Sequence, residues 1–146
     1  MRVLILGAGG REHALAWRVA RDPGVTRIVC APGNPGMAAV AVLAPLSINE
    51  PAAVLQLVRR ERIDLTVVGP EAPLDAGVAD ALRAAGHPVV GPGHDGAQLE
   101  CSKVFAKDFM AKHDIPTARF KVVDSLESAL ATVAGDEFGF PVVVKA

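Results

Sequence analysis

Gly7-Ala8-Gly9-Gly10-Arg11-Glu12-His13 is the first stretch whose residue types could do chemistry. Glycines in a turn let backbone N–H groups approach an anion, and a helix starting there adds partial positive charge. Arg11 would add a bidentate contact to a phosphate. A dinucleotide-binding turn wants glycine where Glu12 stands, and an acid after the second strand to hold a ribose hydroxyl. That strand closes on Cys30-Ala31-Pro32 instead. The pattern favours a phosphate site over an NAD site, and it also fits a tight strand-to-helix turn that binds nothing. His13 reads as a packed histidine at a helix start.

Two more loops carry the same kind of residue. They are Ala31-Pro32-Gly33-Asn34-Pro35-Gly36 and Gly69-Pro70-Glu71-Ala72-Pro73-Leu74. Glu71, held in a Pro-stiffened loop, could take an amine or hydroxyl of a substrate. Either loop alone also fits ordinary Pro/Gly turn chemistry. Lys103 and Lys145 form a third group. Lys145 ends an apolar run, so its charge calls for an anionic partner. Lys103 opens a helix, where a lysine opposes the macrodipole. Lys107 and Lys112 read as solvated helix face. Cys30 and Cys101 make neither a disulfide framework nor a metal pattern and read as packing residues.

The elements that would hold these residues alternate. Arg2–Leu6 is a short apolar run typical of a buried parallel strand. A helix follows over Glu12–Arg21, then a strand at Ile28–Ala31. Asn49 is expected to cap a helix with Pro51 in its first turn, running to about Arg62. Asp64–Val68 is a strand, Leu74–Ala85 a helix ended by Gly86, and Pro88–Val90 a short strand. This alternation predicts an α/β fold, an open parallel sheet wound on both faces in Rossmann-like fashion. Ligands of such sheets bind at the carboxyl edge, where all three loops fall.

The texture changes over Gly91–Glu100. A helix is expected over Ser102–His113, a half-exposed strand over Arg119–Asp124, and a helix to Ala134 capped by Asp124 with Glu127. A turn at Gly135–Gly139 and a strand at Pro141–Lys145 complete the chain. The boundary is therefore placed between residues 1–101 and 102–146, the second part reading as a domain cut short.

Composition narrows the function classes. The 146 residues carry 15 Lys+Arg against 16 Asp+Glu, a formal net charge of −1. A general nucleic-acid binder needs a basic surplus. A hydrophobic fraction of 51% with 21% charged residues excludes disorder. No apolar run approaches the ~18 residues of a membrane span. Residues 1–6 lack the apolar stretch and cleavage site of a signal peptide. The expectation is a soluble cytoplasmic protein acting on small molecules, with no nucleic-acid or membrane partner.

Five segments in order then carry a family resemblance. They are Gly9-Gly10-Arg11-Glu12-His13-Ala14-Leu15, Pro32-Gly33-Asn34-Pro35-Gly36, Val68-Gly69-Pro70-Glu71-Ala72-Pro73-Leu74, Leu99-Glu100-Cys101-Ser102-Lys103-Val104-Phe105-Ala106-Lys107 and Ile115-Pro116-Thr117-Ala118. Together they resemble the glycinamide ribonucleotide synthetase (phosphoribosylamine–glycine ligase) family of the ATP-grasp superfamily. The likeness implies a pre-ATP-grasp domain followed by the start of an ATP-grasp domain. It implies an ATP-dependent ligase that activates glycine as glycyl phosphate and joins it to 5-phosphoribosylamine. The products would be glycinamide ribonucleotide, ADP and phosphate, in purine biosynthesis.

By the same resemblance Lys103 and Lys145 contact ATP phosphates. Gly9, Gly10, Arg11 and Glu12 meet phosphoribosylamine, Asn34 and Gly36 border that pocket, and Glu71 lies near its amine or ribose. Mg2+ or Mn2+ would accompany ATP, but the family's metal ligands and its glycine-rich phosphate loop fall beyond these residues. No complete catalytic set is expected within the 146 residues, which alone should be inactive. The competing reading is a non-catalytic Rossmann-like nucleotide-binding module. Glu12 and the missing acid after the second strand count against it.

Overall fold

The computed structural model describes residues 1–135 and 138–145. They form two compact units, Met1–Cys101 and Ser102–Ala146.

The first unit is built around a parallel sheet. Its strands are β1 (Arg2–Gly7), β2 (Arg27–Pro32), β3 (Val42–Leu43), β4 (Leu65–Val68) and β5 (Val89–Val90). They lie side by side in the order β3-β2-β1-β4-β5, all parallel. β1 is central because its side chains are apolar on both faces. Leu4 and Leu6 point into one core with Val29, Val54, Leu57, Val78 and Leu82. Val3 and Ile5 point into the other with Ala16, Ile28, Cys30 and Met37. The helices α1 (Gly10–Val19), α2 (Pro51–Glu61) and α4 (Val78–Ala84) supply Ala16, Val54, Leu57, Val78 and Leu82. The sheet is thus wound on both faces, and the α/β, Rossmann-like expectation holds.

Several boundaries differ from those read in the sequence. Helix α2 starts after Glu50, whose side chain makes no cap bond, and not after Asn49. Pro51 does take the first turn, where its missing N–H costs nothing. The helix expected over Leu74–Ala85 is two, α3 (Glu71–Asp75) and α4, because Gly77 adopts φ +79° between them. Gly86 closes α4 at φ +73°, the left-handed conformation a helix end favours. Three elements escaped the sequence reading. A 3₁₀ turn spans Pro35–Ala39, β3 is a two-residue strand, and α5 (His94–Cys101) fills the stretch where the texture changes.

The second unit holds α6 (Lys103–Lys112) and α7 (Leu126–Ala134). Ser102 caps α6, its Oγ accepting from Phe105 N–H at 3.2 Å. The cap of α7 is Ser125, paired with Ser128, rather than Asp124 with Glu127. A hydroxyl one residue further on bonds the third helical N–H equally well. Neither Arg119–Asp124 nor Pro141–Lys145 is a strand, contrary to expectation. A strand exists only as half of a ladder, and neither segment is paired into one among the described residues. Val143 and Val144 are 82% and 77% exposed. The turn expected over 135–139 includes Asp136 and Glu137, which lie outside the described residues.

Thr66 is a buried polar residue of β4, and its hydroxyl lies 2.9 Å from His87 Nε2. Burial pushes the His87 pKa below the ordinary 6.5, with Asp64 acting weakly the other way. The folded chain therefore resists a proton that the unfolded chain accepts. The stability this carries is complete above pH 6.5 and is lost as pH falls through the lower folded value. The urea midpoint should drop between pH 7 and pH 5.5, and His87→Gln should flatten that drop. Equal slopes in the two proteins would assign the pH dependence elsewhere.

Candidate functional site

In the order β3-β2-β1-β4-β5 the connection after β1 runs to β2 on one side and the connection after β4 runs to β5 on the other. The loops leaving the carboxyl ends of β1 and β4 therefore diverge around a crevice, the usual ligand position of such a sheet. Ladder bonds place its rim. Gly69 N–H donates to Leu6 O at 3.1 Å, and Gly33 N–H donates to Gly7 O at 3.2 Å. The three loops singled out in the sequence thus meet around the end of one strand.

Glu12 sits at their centre and is only 4% exposed. Its Oε2 accepts from Gly9 N–H at 2.9 Å, and its Oε1 accepts from Arg11 Nε at 3.1 Å. The neighbouring glycines are there because nothing larger fits. A Cβ on Gly69 would stand 2.3 Å from Glu12 Oε1, and one on Gly7 would stand 2.6 Å from Glu12 Cγ. Gly7 also adopts φ +126°. The glycine-rich turn therefore does not lie open to an anion at Gly9. Its N–H is already taken by a carboxylate of the chain itself.

Arg11 lies above this carboxylate. Its Nη2 donates to Gly69 O at 2.9 Å, yet its side chain stays 68% exposed. The guanidinium is fixed along one edge and free along the other. Asn34 ties the second loop to the first: its Nδ2 donates to Ala8 O at 2.9 Å, and its Oδ1 accepts from Met37 N–H at 3.3 Å. Both ends of that amide are spent on holding loops. Gly36 leaves room for His13, whose Cε1 would be 2.5 Å from an added Cβ. His13 is half-buried against it, as its reading as a packed histidine requires.

Arg11 and Glu71 line a cleft of about 330 Å³ together with Gly69, Leu74, Pro92 and Glu100. Glu71 is the first residue of α3. The far wall comes from α5, in the stretch where the texture of the sequence changes. The signal available in the sequence is Asp95, an acid that suits a helix's first turn. Cys101 ends α5, with its Sγ 3.8 Å from Glu71 O. Partial desolvation and the acids Asp75, Glu71 and Glu100 push the pKa of this exposed thiol up. Cys30 is deep in the sheet, where burial pushes its thiol to about 11, so it stays protonated. Both cysteines lack thiolate character.

Lys103 opens α6, and Lys145 lies in the irregular, exposed stretch after Pro141, not at the end of a buried strand. Lys107 differs from expectation. It is not solvated face: its Nζ donates to Thr117 Oγ1 at 2.6 Å and to Ala118 O at 3.1 Å, fixing the loop after α6. A wider groove of about 540 Å³ in this unit runs between residues 121–124 and α7. It includes neither Lys103 nor Lys145, and its lining brings only Lys121 and Asp124 as charges. The cleft beside Arg11 has the convergent chemistry.

Residues 1–100 match the family described as phosphoribosylglycinamide synthetase, N domain. Over its whole length the chain is 51% identical to a phosphoribosylamine–glycine ligase of Mesorhizobium japonicum, of which it covers 34%. It is 49% identical to that of Salmonella typhimurium, with the same 34% covered. The chain spans about a third of the length of the curated relatives it matches. Among solved structures, phosphoribosylamine–glycine ligase from Thermotoga maritima superposes with a TM-score of 0.68 at 32% identity, over 92% of this chain and 30% of that one. N5-carboxyaminoimidazole ribonucleotide synthetase from the same organism shares the fold, with a TM-score of 0.66 at 22% identity over 96% of this chain and 37% of its own. With more than half of its residues matched by the family's N domain, the chain belongs to the phosphoribosylglycinamide synthetase family.

Proposed function

We propose that this chain forms the N-terminal part of a cytoplasmic ATP-dependent ligase that joins glycine to 5-phosphoribosylamine. The observation that carries the reading is the cleft at the β1/β4 crevice, with the fixed guanidinium of Arg11 and the carboxylate of Glu71 on one lining. A phosphorylated amino sugar needs that pair. A planar cation grips a phosphate, and an acid accepts from an amine or a hydroxyl. Gly9, Gly10, Asn34 and Gly36 shape the turns around it, and Glu12 lies beneath.

The chemistry follows from the poor reactivity of a carboxylate. A glycine carboxylate oxygen attacks the terminal phosphorus of ATP, and ADP leaves. The amine of 5-phosphoribosylamine then attacks the acyl carbon of glycyl phosphate. The acyl C–O bond breaks, inorganic phosphate departs, and the nitrogen gives up a proton to leave the amide. Holding the amine against the acyl carbon and neutralising phosphate charge are the protein's contributions. Lys103 and Lys145 are assigned to the ATP phosphates. Mg2+ or Mn2+ would accompany the nucleotide. Among the described residues no group of three or more His, Cys, Asp or Glu fits such an ion, and no step is assigned to it.

The alternative reading, a dinucleotide-binding module, meets Glu12. A dinucleotide's pyrophosphate would have to displace a buried carboxylate or lie beside it, at a large electrostatic cost. Calorimetry with NAD and NADP should give no binding heat, whereas micromolar affinity would restore the module reading.

The ligase reading is tested in an enzyme of the relatives' full length that contains these residues. Arg11→Ala should raise KM for 5-phosphoribosylamine and leave KM for ATP unchanged. Losing a charge-assisted bond costs roughly 1.5–3 kcal/mol, about ten- to 150-fold. Lys103→Ala and Lys145→Ala should do the reverse. If Arg11→Ala weakened ATP alone, the glycine-rich turn would belong to the nucleotide and the placement of the two substrates would be wrong.

A further inference from the structure

Glu12 is a buried acid under a turn whose glycines suit an anion. Gly7, Gly9 and position 12 have the spacing of a G-x-G-x-x-G turn with the last glycine replaced. The replacement is accommodated in detail. Added Cβ atoms on Gly7, Gly9 and Gly69 would come within 2.6, 2.8 and 2.3 Å of the Glu12 side chain, so the space around these glycines is the space the carboxylate fills. Both of its oxygens are engaged within the chain, one by the turn and one by Arg11. At 4% exposure Glu12 is almost wholly enclosed.

A buried carboxylate is costly unless it is paired and hydrogen-bonded. Its cation here is Arg11, and the pairing uses only the Nε edge. The second bond, from Nη2 to Gly69 O, links the turn after β1 to the turn after β4. The guanidinium is thereby held while its outer edge faces solvent at the cleft.

We propose that Glu12 is a positioning residue whose carboxylate stands where a ligand phosphate would lie beneath the glycine-rich turn and orients Arg11 toward the cleft. A substrate phosphate is then met by the guanidinium and not by the turn. The inference rests on the assignment of Arg11 to the phosphate of 5-phosphoribosylamine.

A double-mutant cycle in an enzyme of the relatives' full length with this sequence tests it, using Arg11→Ala, Glu12→Gln and the pair. Glutamine keeps the shape, and its carbonyl can still accept from Gly9 N–H. Its NH2 then faces the Nε–H of Arg11, donor against donor, and the clamp is lost. Glu12→Gln should raise KM for 5-phosphoribosylamine by roughly tenfold or more, as loss of a charged hydrogen bond does. KM for ATP should not move. The double variant should be no worse than Arg11→Ala, because Glu12 acts through Arg11. Arg11→Lys reports independently of the buried site. A lysine keeps the charge but cannot hold the forked contact, so its KM for the same substrate should also rise.

A wild-type KM in Glu12→Gln or in Arg11→Lys, with Arg11→Ala impaired, overturns the positioning role and leaves the Arg11 assignment standing. So do effects that multiply in the double variant, or that fall equally on both substrates. A wild-type KM in Arg11→Ala overturns the assignment, and the positioning role with it.

Discussion

A single buried carboxylate organises the carboxyl edge of this sheet. Glu12 lies where the loops after β1 and β4 part, with Gly7 at the end of β1 and Gly69 just after β4 both pressed against its side chain. Arg11 offsets the charge of the acid, which would otherwise be buried with only the Gly9 N–H to satisfy it. Arg11 cannot be held without Gly69 O, and Gly69 is itself bonded to the end of β1. The glycines at Gly7, Gly9 and Gly69 and the charge pair with Arg11 all meet one requirement, to accommodate that buried acid.

That requirement explains why the loops carry so little free hydrogen-bonding capacity. Asn34 looks like a residue for recognising a substrate, yet both ends of its amide join the second loop to the first and to its own 3₁₀ turn. Gly36 provides room for His13. The charged groups lining the cleft are Arg11, Glu71 at the start of α3 and Glu100 on α5. A rigid frame presenting few groups suits recognition by orientation, since side chains already fixed lose little entropy on binding.

The two units differ in how far their local sequence decided their structure. In the first, each strand has a partner and two cores hold it, so apolar runs became strands as read. In the second, Arg119–Asp124 alternates and Pro141–Lys145 is rich in β-branched residues, but neither finds a ladder among the described residues. The helices α6 and α7 are present as expected, because helical hydrogen bonds close within the segment and serine caps their first turns. Lys107 shows the same limit for a side chain. Its spacing on α6 looked solvated, and only the fold of the following loop gave it acceptors at Thr117 and Ala118.

The sequence by itself determined the alternation of strand and helix, the parallel sheet, the three glycine- and proline-rich loops and the misfit of Glu12 with a dinucleotide turn. These follow from periodicity, chain stops and residue types, which act over a few positions. Tertiary structure alone decided that Glu12 points inward, that it shares Gly9 with the turn and Arg11 with the cleft, and that α5 forms the opposite wall. Those contacts join residues up to 58 positions apart, as between Arg11 and Gly69. No local pattern encodes them, because the strand order that brings β4 beside β1 is set by burying both faces of one apolar strand.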